Sequence, residues 1–130
     1  METNHNLSSG LEDYIETIYI SELNKLPLKG AELARKLNIS RASVSEALSR
    51  LVEKGLINYK KYGFISLTPL GKKEAERVFE KHNILKTFFE KVLDIPTEEA
   101  AENACKIEHI VSDNVIKSIQ NFTSTYCKNK

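Results

Sequence analysis

The most constraining feature of this chain is a pair of short helical patterns separated by Asn38-Ile39-Ser40. Before that break, Leu33, Ala34 and Leu37 share one face of a helix that runs from about Lys29. After it, Val44, Ala47, Leu48 and Leu51 form the inward stripe of a second helix, Arg41 to Lys54, with Ser40 as its N-cap and Gly55 as its stop. Two helices joined by so short a turn must cross at a steep angle, which is the helix-turn-helix arrangement. Downstream, Leu56 to Leu67 gives two short β-branched or aromatic runs around Lys60-Lys61-Tyr62-Gly63, a small hairpin. The pattern therefore predicts a mainly α fold with a small β-wing: a winged helix-turn-helix.

The flanking segments read as further helices. Leu11, Tyr14, Ile15, Ile18 and Tyr19 fall on one arc of a helix from about Leu11 to Leu23. Asp13, Glu16 and Ile20 lie opposite, a combination that water alone does not explain. Thr68 caps a long helix opened by Pro69 and running to about Leu93. Its residues Ala75, Val78, His82, Leu85, Phe89 and Val92 form a seam for helix pairing, with His82 among apolar neighbours. A break at Asp94-Ile95-Pro96, a cap at Thr97, a helix from Glu98 to Ile110 and a last helix from Ser112 to about Tyr126 complete the chain, with Cys127 to Lys130 expected to fray. The division falls near Thr68 to Gly71, giving a DNA-binding unit over 1–71 and an all-helical dimerisation unit over 72–130.

Charge is informative by position. The whole chain of 130 residues carries only +1. Residues 1–28, however, hold one lysine against five carboxylates, and residues 29–61 hold eight cations against three. A basic block beside an acidic one calls for two kinds of partner, unless both are solvated faces. The outward positions of the second helix are Arg41, Ala42, Ser43, Ser45, Glu46, Ser49 and Arg50, small or hydrogen-bonding side chains flanked by arginines. Such a face suits the major groove of double-stranded DNA, with Lys60 and Lys61 at the wing tip meeting phosphate.

A second constellation is Cys105-Lys106-Ile107-Glu108-His109. Helical spacing brings a thiol, a carboxylate and an imidazole onto one arc, all transition-metal ligands. With His82 in its seam and Asp13 and Glu16 on the first helix, three ligand clusters on three helices suggest one site. Singly, each is equally a solvated or satisfied group. No Gly-rich phosphate loop, nucleophile elbow or HExxH pattern occurs, so no catalytic residue is assigned. Two cysteines make no disulfide framework, no run approaches a membrane span, and the polar start lacks a signal pattern, so a cytoplasmic protein without membrane or organic cofactor is expected.

The runs Leu11-Glu12-Asp13-Tyr14-Ile15-Glu16-Thr17-Ile18-Tyr19, Ala31 to Ser45, Leu67-Thr68-Pro69-Leu70-Gly71, Lys81-His82 and Cys105 to Asp113 together resemble the diphtheria-toxin-repressor family. The manganese transport regulators are that family's shorter branch, and the resemblance covers about residues 8 to 125. It implies a metal-dependent repressor of metal-uptake genes that binds operator DNA as a homodimer. In the shorter form there is no SH3-like third domain. The resemblance also implies metal ligands at Asp13, Glu16, His82, Cys105, Glu108 and His109, with Glu102 left open. Asp13 matches the manganese branch, but the Cys at 105 matches the iron branch, where the first position tends to be Met. The effector is thus expected to be Fe²⁺ or Mn²⁺, with Co²⁺ and Zn²⁺ as substitutes. The iron branch's ancillary site is expected to be missing, because Lys86 and Ala101 stand at its ligand positions. The alternative is a winged-helix regulator that answers an organic ligand, or none. Redox sensing through Cys105 lacks a resolving cysteine nearby. Apolar positions from Ala75 to Val92, with Ala100, Ala104, Ile107 and Val111, exceed what three helices could bury alone, so a homodimer is expected.

Overall fold

A computed structural model describes residues 7–129 and divides into two compact units, one ending at Glu76 and one beginning at Arg77. In the first, α1 (Ser9–Leu23) is capped by Ser8, whose Oγ accepts from Leu11 N. Strand β1 (Leu28–Lys29) leads into α2 (Gly30–Leu37), where Glu32 Oε1 accepts from Lys29 N at 2.8 Å and satisfies the helix start. Asn38 then turns left-handed at φ 57°, a conformation its short polar side chain tolerates, and ends α2. Ser40 Oγ accepts from Ser43 N and opens α3 (Arg41–Glu53). Gly55, at φ 74°, turns the chain into β2 (Ile57–Asn58) and β3 (Phe64–Leu67).

The sheet has three strands in the order β1-β3-β2, all antiparallel, with Leu28 opposite Ile65 and Ile57 opposite Leu67. The hairpin was expected, whereas β1 was not. Two residues carry no period, and only the free edge of β3 gives them a partner. The core holds the expected stripe Val44, Ala47, Leu48 and Leu51, with Leu11, Ile15, Ile18, Leu33, Ile65 and Leu67. Glu22, at the far end of α1, accepts from Leu67 N at 2.9 Å and fastens the wing strand to that helix.

Helix α4 (Pro69–Lys91) begins where Thr68 Oγ1 accepts from Gly71 N and donates to Gly55 O at 2.6 Å. The second unit combines most of α4 with α5 (Thr97–Ile107) and α6 (Asp113–Lys128). Its core is Leu85, Ala104 and Ile116, with Ile84, Phe89, Ile107, Val111 and Ile119 packed around them.

Four expectations need correction here. Thr97 does not cap α5; it is the first helical residue, and Pro96 stands at the cap without a side-chain bond. Helix α5 ends at Ile107 rather than Ile110, because Ile110 N and Val111 N both turn back to Ile107 O and Ser112 then caps α6. Cys127 and Lys128 are helical rather than frayed, while Lys130 lies outside the described residues. Ala75, Val78, Leu85, Ala100 and Ala104 are also buried within the chain itself, so they are not surplus apolar surface waiting for a second copy.

Candidate metal centre and DNA-binding face

The corrected end of α5 determines the geometry of the ligand cluster in the second unit. Glu108 is the C-cap of α5 and His109 follows it, so both stand on a turn rather than within a helix. Glu108 has no exposed surface. A carboxylate so placed needs compensation for lost hydration. Glu108 Oε1 lies 2.7 Å from His82 Nδ1 on α4, and Oε2 lies 3.2 Å from His109 Nε2. Phe79, one turn before His82, stacks on its imidazole at 6.4 Å with the planes 11° apart, which limits how the ring can rotate. One carboxylate is therefore held between two imidazoles that are themselves mostly buried.

This donor set fits a divalent transition ion. Two imidazole nitrogens are borderline donors and the carboxylate oxygens hard ones, a mixed set matched to Mn²⁺, Fe²⁺, Co²⁺ or Zn²⁺ rather than to Mg²⁺ or Ca²⁺. In the first unit, Asp13 and Glu16 bring carboxylate oxygens within 4.8 Å of each other on α1, Glu16 buried and Asp13 half-buried. Thr17 Oγ1 donates to Asp13 O, and burial followed by the Asp13 charge raises the pKa of the Tyr14 phenol. Cys105 is exposed, three residues before Glu108. Glu102 is also largely exposed and pairs with Lys106 at 3.6 Å.

All seven outward residues expected on the second helix, Arg41, Ala42, Ser43, Ser45, Glu46, Ser49 and Arg50, are exposed on α3. Arg50 and Glu46 pair with each other at 3.4 Å. Lys60 and Lys61 are exposed in the turn between β2 and β3. Between α3 and the wing lies a cavity of about 250 Å³ lined by Lys29, Arg41, Ser45, Tyr59, Lys61 and Tyr62. Sequence reasoning missed Lys29, Tyr59 and Tyr62. Lys29 Nζ stands 4.9 Å over the Phe64 ring and Lys61 Nζ 5.2 Å over Tyr62, contacts that only the folded wing creates.

The family model described as iron dependent repressor, N-terminal DNA binding domain, matches residues 6–65, and that described as iron dependent repressor, metal binding and dimerisation domain, matches residues 68–128. The chain belongs to the iron-dependent repressor family. An uncharacterized HTH-type transcriptional regulator of Methanocaldococcus jannaschii is 36% identical over 121 residues, which are 92% of this chain and 97% of that one. The HTH-type transcriptional regulator MntR of Lysinibacillus sphaericus is 31% identical over 84% of this chain and 78% of its own length. A solved manganese-dependent transcriptional repressor in complex with manganese superposes with a TM-score of 0.80 at 26% identity, over 88% of this chain and 52% of its own. This iron-dependent repressor chain spans about half the length of that structure. The resemblance expected from the sequence motifs, and the fold it implied, are both found. Among the described residues no helix is long and apolar enough to cross a membrane.

Proposed function

We propose that this chain is a metal-activated repressor of metal-uptake genes, working in the cytoplasm as a homodimer on double-stranded operator DNA and catalysing no reaction. The observation that carries this reading is the fully buried Glu108 carboxylate held between His82 and His109 in a domain matched as metal-binding. The proposed ligands are Asp13, Glu16, His82, Glu108 and His109, with Cys105 at the solvent edge. Asp13 and Glu16 enter this set through the family resemblance. A bound divalent cation supplies positive charge that lets these carboxylates approach one another. Glu108 and His109 hold the α5 turn side of the set and His82 holds α4, while Asp13 and Glu16 commit α1, the helix that Glu22 fastens to wing strand β3.

The exposed face of α3 would then enter the major groove, with Lys60 and Lys61 on phosphate. In a dimer, two such helices must meet half-sites about 34 Å apart or a multiple of that spacing. Ile110, Val115 and Phe122 are exposed apolar side chains of the second unit, and a second copy would cover them. Metal raises DNA affinity by restricting how these elements are held, and linkage requires DNA to raise metal affinity by the same factor. A coupling of ~2 to 3 kcal/mol corresponds to ~30- to 150-fold.

The test is operator binding at fixed salt with Mn²⁺, Fe²⁺ under anaerobic conditions, Co²⁺, Zn²⁺ and chelator in parallel. Affinity should rise by at least about tenfold with Mn²⁺ or Fe²⁺ and fall back with chelator. The Fe²⁺-to-Mn²⁺ ranking should move toward Mn²⁺ in Cys105→Glu. Tight binding indifferent to every ion would refute metal activation and favour an organic-ligand or constitutive regulator.

A further inference from the structure

We infer that Lys81 is a positioning residue for the metal donors, clamping the turn between α5 and α6 so that Glu108 and His109 stay aimed at His82. The inference rests on the ligand set proposed above. Lys81 immediately precedes His82 on α4, and its side chain is only 9% exposed. Its Nζ donates to Val111 O at 3.0 Å and lies 3.3 Å from Asp113 Oδ1. Arg77, one turn earlier on α4, reaches the same Asp113 oxygen at 3.7 Å. Burying a lysine costs the hydration of its charge, and an apolar residue of similar length would fill the same space without that cost.

What the ammonium adds is a fixed attachment to three elements at once. It holds α4 through its own backbone, the turn through Val111 O, and the first residue of α6 through Asp113. Val111 follows His109 by two residues, and α5 has already ended at Ile107, so the regular hydrogen bonds of α5 no longer fix Glu108 and His109 from both sides. The clamp does that instead. Its attachment to α4 lies next to His82 and its attachment to the turn lies two residues from His109, so both sides of the Glu108 and His82 pair are tied close to the donors themselves. A protonated amine cannot itself be a ligand. Its effect on the metal is therefore indirect, like that of outer groups that orient ligands.

The full chain and its Lys81→Met, Lys81→Arg and Asp113→Asn variants would be compared by chelator competition for Mn²⁺ and by the visible absorption spectrum of bound Co²⁺. Metal-free thermal unfolding would be followed in parallel. Lys81→Met should weaken Mn²⁺ binding ~10- to 100-fold and change the Co²⁺ bands, Lys81→Arg should recover most of both, and Asp113→Asn should cost about threefold. A folded Lys81→Met protein that binds Mn²⁺ within about twofold of the parent, with an unaltered Co²⁺ spectrum, overturns the clamp alone. If Lys81→Met does not fold, Asp113→Asn decides, and unchanged binding in that variant overturns the clamp. A parent protein that binds neither ion overturns the ligand set and the clamp together.

Discussion

Alanine at Gly71 should destabilise this protein by about 2 to 4 kcal/mol, although alanine is the better helix former. Gly71 lies in the first turn of α4, and a Cβ built there collides with the Leu56 carbonyl oxygen while standing 2.8 Å from Leu56 C and 3.2 Å from Leu56 Cα. Both partners are backbone, so no rotamer change relieves the overlap. Either the start of α4 or the end of the Gly55 turn must move. Movement strains two hydrogen bonds that join them, Thr68 N to Leu56 O at 3.0 Å and Thr68 Oγ1 to Gly55 O at 2.6 Å. Each is worth ~1 kcal/mol net. Overpacking adds ~1 to 3 kcal/mol, and the gain in helix propensity returns ~1 kcal/mol. Urea unfolding followed by circular dichroism would read the difference, and thermal unfolding should show a fall in Tm on the order of 10 °C. Two other glycines serve as controls. A Cβ at Gly10 would have only Ser8 Oγ nearby, at 3.9 Å, so Gly10→Ala should be neutral or stabilise by up to ~1 kcal/mol. Gly55 has open space but φ of 74°, so Gly55→Ala should cost ~1 kcal/mol from backbone strain alone. A Gly71→Ala protein as stable as the parent, or no costlier than Gly55→Ala, would refute the close-approach argument.

Other perturbations probe the remaining links. Glu22→Gln weakens a charge-assisted bond to Leu67 N and should cost ~1 kcal/mol, with faster amide exchange at Leu67 than elsewhere in β3. Lys60→Ala and Lys61→Ala should each lower operator affinity without changing base preference, and should flatten the log affinity against log salt slope by ~1. Because burial and then Asp13 raise the pKa of Tyr14, the folded protein keeps that proton where the unfolded chain begins to release it. Its stabilising contribution is therefore complete below about pH 10 and is lost as pH climbs through the higher folded value. Tyr14→Phe should reduce that alkaline loss, measured as urea midpoints on either side of pH 10.

Much of the first unit was legible because its signals are local. Ser40, Asn38 and Gly55 act within a few residues of where they stand, and the stripe from Val44 to Leu51 reports a period that no distant contact needs to complete. The exposure of Arg41, Ala42, Ser43, Ser45, Glu46, Ser49 and Arg50 follows from that same stripe, since residues off the buried arc of α3 must face out. Cys105, Glu108 and His109 were legible as ligand-type residues, but their shared arc assumed a helix that continues to Ile110. That assumption failed because periodicity cannot show where a helix ends when the competing partners are the caps and turns of its neighbours.

The sequence by itself determined the presence of the six helices and the hairpin, the helix-turn-helix, the basic face and the types of donor available. Tertiary structure decided that β1 pairs with β3, that α5 stops at Ile107, that Glu108 is buried between two imidazoles while Cys105 is exposed, and that Lys81 reaches Val111 and Asp113. The physical reason is the range of the forces involved. A cap or an apolar stripe is satisfied by neighbours in the chain, but a buried charge is stable only where residues about 30 positions away supply its counter-charge or hydrogen bond, and only the fold brings them there.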